Sequence, residues 1–177
     1  MSLNPAGIIP PSPVPPGYPE YLHAPSDEFP EAEMWFGDVG VNLKLVFAHV
    51  EKAIFAVKIR FAAGVRLATH IHTGSVYAYT LKGKWQYLEY GNAAPNTPGS
   101  FLFEPPGATH TLKIADDADD TEVFFLIEGA MLILDQENQV VAIFDAASTL
   151  RNYTEHLLAQ GKTVPPVLVG GFTDYAK

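Results

Sequence analysis

Through most of the chain, apolar and polar residues alternate with a period of two. In "AIFAVKIRF", Phe55, Val57, Ile59 and Phe61 fall on one face and Lys58 and Arg60 on the other, the pattern of a half-buried strand. "VYAYTLKGKWQYLEY" reads as two strands joined at Lys82-Gly83-Lys84, hence a hairpin. "GSFLFEPPGATHTLKI" is a strand, a Pro-Pro-Gly turn and a second strand, and "EVFFLIEGAMLILDQENQVVAIF" adds more, with turns at Glu128-Gly129 and from Gln136 to Gln139. Roughly eight or more short strands at this spacing predict an all-β sandwich or barrel. One late segment has helical spacing instead. In "DAASTLRNYTEHLLAQG" the apolar stripe is Leu150, Tyr153, Leu157 and Leu158. Asp145 or Ser148 can cap its start and Gly161 can end it, which predicts a helix over about 146–160.

The first thirty residues read differently, because they hold nine of the fifteen prolines. Such a stretch favours polyproline II over helix or central strand. Its apolar residues (Ile8, Ile9, Val14, Tyr18, Tyr21 and Leu22) suggest an arm lying along its own domain or a neighbouring subunit. The division expected is an arm over 1–34 and a single domain over 35–177, since 177 residues suffice for one well-buried core.

Charge and composition narrow the function. Eleven basic residues against twenty acidic ones give a net charge of −9, which opposes binding to nucleic acid or an anionic membrane. Much of the acidity lies in "ADDADDTE", residues 115–122, which lacks the ligand spacing and central glycine of a calcium loop. The chain has no cysteine, so disulfides, thiolate nucleophiles and cysteine-ligated zinc are excluded. No apolar run is long enough to span a membrane and no basic residue precedes an apolar run at the start. A soluble, cytoplasmic protein is expected.

Six histidines remain to be explained: His23, His49, His70, His72, His110 and His156. Residues two apart on a strand point the same way, so His70 and His72 can clamp one ion. His110, starting a strand just after the "EPPGAT" turn, is the candidate for a third ligand. Three imidazoles suit Fe, Ni, Cu and Zn alike, so the donor set does not name the metal.

The spacing around these histidines resembles the double motif of the cupin superfamily, G-x5-H-x-H-x3/4-E-x6-G followed by G-x5-P-x-G-x2-H-x3-N. Gly64, His70, His72, Gly83, Gly99, Pro105, Gly107 and His110 are in register. Two places depart from it: the glutamate position is Val76 or Tyr77, and the final asparagine position is Ile114. The resemblance implies a double-stranded β-helix, or jelly-roll barrel, with His70, His72 and His110 as metal ligands. From about Ala32 to Gly171 the chain also resembles the 2,4'-dihydroxyacetophenone dioxygenase family and, more distantly, acetylacetone dioxygenase. That resemblance implies an Fe(II) centre, with Zn or Ni as other divalent occupants, and cleavage by O2 of a C–C bond beside a ketone. The substrate would be an α-hydroxyketone or a β-diketone.

Glu104 shares the strand parity of Leu102 and is expected to point inward, as a base or as a group that orients a ligating histidine. It stands six residues before His110, where acetylacetone dioxygenase also has a glutamate near its metal. Tyr77, Tyr79, Trp85, Tyr87 and Phe125 are expected around an aromatic-ketone pocket. Arg60 and Arg66 could neutralise an anionic substrate, although exposed strand positions suit them better. Two other functions fit the same residues: a metal cupin that binds a small ligand without turnover, and a redox-neutral isomerase or hydrolase. By analogy the chain forms a homodimer or homotetramer.

Overall fold

The computed structural model describes residues 22–25, 28–36, 39–91 and 93–169. Most of the proline-rich arm, residues 1–21, lies outside that range. The order of elements is β1 (Ala32–Phe36), β2 (Val39–His49), β3 (Ile54–Phe61), β4 (His70–His72), β5 (Val76–Lys82) and β6 (Trp85–Tyr87). Then follow β7 (Phe101–Glu104), β8 (Thr109–His110), β9 (Leu112–Ile114), β10 (Thr121–Glu128), β11 (Met131–Leu134), β12 (Val140–Phe144) and the single helix α1 (Ala146–Ala159).

The strands build three antiparallel ladders. Six form one sheet in the order β1-β2-β3-β10-β5-β7, four form β12-β11-β4-β8, and β6 pairs with β9. The chain crosses repeatedly between the large sheet and the other two, as the jelly-roll expectation requires. Alternation drives the packing. Along β10, Thr121, Val123, Phe125 and Ile127 are buried while the residues between them are partly exposed. On the neighbouring β3, Phe55, Val57, Ile59 and Phe61 are buried, and Lys58 and Arg60 turn outward. There they pair with Glu31, Glu122 and Asp120, so neither basic group is free to meet a substrate inside.

The predicted hairpin at Lys82-Gly83-Lys84 is corrected. β5 and β6 do not pair with one another: β5 lies between β10 and β7, and β6 pairs with β9. The turn therefore carries the chain from one ladder to another. Gly83 is required there, since its φ is +82° and an added Cβ would collide with Thr121. Period-two patterning identifies strands but carries no information on which strands pair.

The helix spans Ala146–Ala159 and starts with a reciprocal capping box, in which the Asp145 carboxylate accepts from the Ser148 amide and Ser148 Oγ accepts from the Asp145 amide. Its buried face is Ala146, Thr149, Tyr153 and Leu157. Leu158, expected in the stripe, is 62% exposed, because it lies one position round from Leu157 on a narrow contact face. The helix closes on the edge strand β1: Gln160 accepts from the Glu33 amide and donates to the Glu33 carbonyl, and Tyr153 donates to the Pro30 carbonyl. Phe29, Ala32 and Met34 are all core residues. The packed domain thus begins several residues before the expected boundary at 35. No described helix is long and apolar enough to cross a membrane.

Candidate metal centre

Three short strands converge on the histidines. β4 lies between β8 and β11, with His70 directly opposite His110 on β8 and opposite Ile133 on β11. The Pro105-Pro106-Gly107 turn is stapled to β4 at both ends: the Gly107 amide donates to the His72 carbonyl (2.7 Å) and the His72 amide to the Ala108 carbonyl (3.1 Å). Gly107 has φ +84°, a conformation that favours glycine. This turn brings His110 beside a pair nearly forty positions earlier in the chain. The ring centroids are 5.0 Å apart for His70 and His72, 4.8 Å for His70 and His110, and 5.3 Å for His72 and His110.

All three imidazoles are buried, and one nitrogen from each lies within 4.8 Å of the others. His70 Nδ1 is 2.9 Å from the Ala68 carbonyl, so Nδ1 carries the proton and Nε2 keeps its lone pair for a ligand. Burial holds the His70 and His72 pKa values down to about 4. Both are neutral near pH 7, the form that binds metal.

The register of β5 and β7 explains the departure at the glutamate position. Val76 and Glu104 are cross-strand partners, both buried, so their side chains share one face of the sheet. The position opposite Val76 on the next strand thus brings a carboxylate to the histidines. Glu104 Oε2 lies 3.3 Å from His72 Nε2 and 3.2 Å from His110 Nε2. Glu104 Oε1 accepts a short hydrogen bond from the Tyr87 hydroxyl. Burial pushes the Glu104 carboxyl up, but His110, the Tyr87 hydroxyl and His72 outweigh it and leave the pKa below its ordinary value. Burial and the Glu104 charge push the Tyr87 phenol well up, so it stays a donor. The Tyr87 ring stacks on His110 with centroids 3.7 Å apart.

The group fits a cation. His72 Nδ1, His110 Nε2 and Glu104 Oε2 are buried without a hydrogen-bond partner, a costly arrangement unless something satisfies them. His110 Nε2 and Glu104 Oε2 are close but lack hydrogen-bond geometry, as two donor atoms facing one shared ion would. An ionised carboxylate in such a place also calls for positive charge. His70, His72 and His110 could therefore hold a metal ion, with Glu104 Oε2 at its side.

Beside the centre, between the sheets, is a cavity of about 340 Å³. His70, His72 and Tyr87 border it, whereas His110 and Glu104 do not and lie next to Tyr87. Of the aromatic residues expected around a pocket, Tyr87 and Phe125 line it. Trp85 is buried behind them, edge-on to Tyr87 and hydrogen-bonded to Thr80. Tyr77 and Tyr79 are corrected. They alternate with the buried Val76, Ala78 and Thr80 and face outward, opposite Phe103 and Phe101. Here the bulky residues occupy the outer parity, and residue size misled the expectation. Phe36, Phe144 and Met131 also line the cavity and were not anticipated. The parity of β10 would have flagged Ile127 beside Phe125, but nothing local marks Phe36 or Met131. Of the remaining histidines, His49 Nδ1 accepts from the Lys52 amide and His156 Nδ1 lies 2.8 Å from the Asn152 carbonyl, both local structural roles.

The sequence matches the family described as "ChrR Cupin-like domain" over residues 29–132. The chain belongs to that cupin family. Among solved structures, the cupin is similar to a protein of unknown function with a cupin-like fold from Ralstonia eutropha, at 25% identity and TM-score 0.80, covering 89% of this chain and 97% of that one. An RmlC-like cupin protein from the same organism matches at 22% identity and TM-score 0.74, covering 82% and 92%. An acetylacetone dioxygenase from Acinetobacter johnsonii matches at 19% identity and TM-score 0.69, covering 84% and 99%. No curated protein matches the sequence.

The depressed histidine pKa values make a prediction for the metal-free cupin. An unfolded chain binds protons at these imidazoles near pH 6.5 and the folded chain near pH 4, so between those values the unfolded state holds more protons. Stability is fullest above pH 6.5 and falls as the pH drops towards 4. At pH 5 the loss is on the order of 2 kcal/mol for each imidazole. Urea denaturation of chelator-treated protein at pH 7.5 and pH 5 measures it, and H70Q/H72Q should flatten the difference.

Proposed function

We propose that this cupin is an Fe(II)-dependent dioxygenase that cleaves a C–C bond beside a ketone carbonyl, taking an α-hydroxyketone or a β-diketone. The observation that supports this reading is a cluster of three buried histidines and a Tyr87–Glu104 pair, of which His70, His72 and Tyr87 border one apolar cavity. The likeness to an acetylacetone dioxygenase shows the fold alone, but it agrees in direction. For an α-hydroxyketone the balance is RCOCH2OH + O2 giving RCOOH and HCOOH, so both oxygen atoms of O2 end in the acids.

His70, His72 and His110 would hold the ion; when bound, it supplies Lewis acidity and an electron route to O2. The chain's own contribution is proton handling and exclusion of water. Tyr87 borders the cavity and Glu104 does not, so a proton leaving the carbon beside the carbonyl is accepted at the Tyr87 oxygen. Tyr87 passes its own proton to Glu104 Oε1, to which it is already hydrogen-bonded. Glu104 thus acts through Tyr87. The apolar walls keep water from the enolate formed in this way.

Protein loaded anaerobically with Fe(II), then given air and a panel of α-hydroxyketones and β-diketones, should consume one O2 per ketone, releasing two carboxylic acids from an α-hydroxyketone or one carboxylic acid and a 2-oxoaldehyde from a β-diketone. No O2 uptake across the panel would reject the reading. Turnover without O2, supported by Zn(II), would replace it with a redox-neutral one.

A further inference from the structure

The cavity wall states what kind of ketone it takes. Among the described residues, every side-chain nitrogen and oxygen on it belongs to His70, His72 or Tyr87, the groups at the metal centre. The rest of the wall is hydrocarbon and thioether, with Phe36, Phe61, Leu112, Phe125, Ile133 and Phe144 typical of it. Among the described residues, no lysine, arginine, aspartate or glutamate lines it. Arg60 and Lys58 are engaged with acids on the outer face, and Arg66 is exposed and absent from the wall. A smaller void of about 30 Å³ shares the walls of Phe36, Ile59, Ile127, Met131 and Phe144 and presents no polar atom either. The net charge of −9 further opposes anionic ligands.

We infer that the substrate is a ketone whose polar atoms all lie at the end facing His70, His72 and Tyr87, with an uncharged aryl or alkyl body bearing no hydrogen-bonding group. This rests on the proposed function and sharpens its substrate class. A ring hydroxyl far from the metal centre would lose its water and meet no side-chain partner. A ring carboxylate would be worse, because it would be buried without a counter-charge. The aryl ketone without a ring hydroxyl is therefore preferred over 2,4'-dihydroxyacetophenone. A hydrophobic pocket discriminates against an added hydroxyl by roughly 10²-fold at most, so the preference expected in kcat/KM is about tenfold to a hundredfold.

The test compares 2-hydroxyacetophenone, 2,4'-dihydroxyacetophenone and the 4'-carboxylate of the first compound on the Fe(II)-loaded protein. Two readouts are taken: O2 uptake in air, and binding by calorimetry without O2. The expected order of affinity and kcat/KM is unsubstituted, then hydroxyl, then carboxylate, with a negative ΔCp for the first as apolar surface is buried. Equal or tighter binding of the hydroxyl or carboxylate compound overturns the inference, whether or not O2 is consumed. Failure of all three to bind overturns it too. The expected binding order without O2 uptake upholds the ligand class and rejects the dioxygenase reading.

Discussion

His110→Ala is expected to cost the cupin its metal and its turnover together while leaving the fold intact. His110 is 1% exposed, faces His70 across β4 and β8, and stacks under Tyr87. Removing the ring leaves two histidines, which hold a divalent ion far more weakly than three. Loss of an outer group that merely orients a ligand already costs about 10–100-fold in metal affinity, so a lost ligand should cost at least about 100-fold. The cavity left behind carries a stability penalty of about 2–4 kcal/mol, set by how far Tyr87 can settle into the space. Because that penalty could be mistaken for the cause, His110→Gln serves as a control, since it fills more of the space without an imidazole. Metal content after desalting, with thermal unfolding measured on the same samples, separates the effects. Full metal retention in both variants would remove His110 from the ligand set.

The legibility of the site differed sharply between residues, for physical reasons. His70 and His72 are neighbours on one strand, so period-two geometry alone puts them on one face. His110 is only a candidate by strand and turn geometry, and the cupin motif resemblance assigns it; Gly107 does adopt the positive φ that such a turn uses. The inward direction of Glu104 followed from parity, as Phe101 and Phe103 are exposed and Glu104 is buried. Its partner did not follow. Tyr87 meets Glu104 because β6 pairs with β9 while β7 pairs with β5, and the sequence was read instead as a β5–β6 hairpin. Tyr77 and Tyr79 failed for a related reason: aromatic residues suit either face of a strand, so their chemistry did not reveal that β5 turns its small residues inward. The cross-strand match of Val76 with Glu104 shows the same limit. A carboxylate absent from one strand stands opposite on the next, which only pairing and register can reveal.

Glu104→Gln and Tyr87→Phe are each expected to lower kcat by about 10²-fold with metal content retained, and the double variant should be scarcely worse than either one. Both substitutions keep volume and packing: glutamine is isosteric with glutamate, and phenylalanine keeps the ring that stacks on His110. On the proposed relay each breaks the same proton path, because Tyr87 touches the cavity and its hydroxyl donates to Glu104. Residues that act as one unit are strongly non-additive, since the second loss removes nothing that still works. If Glu104 served instead as an indispensable metal ligand through Oε2, Glu104→Gln would reduce metal content while Tyr87→Phe would not. If the two residues did independent work, the losses in kcat would multiply to about 10⁴-fold. A double-mutant cycle in kcat, with metal analysis at each corner, therefore decides between a relay, a fourth ligand and two separate roles. Unchanged turnover in Tyr87→Phe would end the relay outright, because among the described residues no other side-chain hydroxyl borders the cavity.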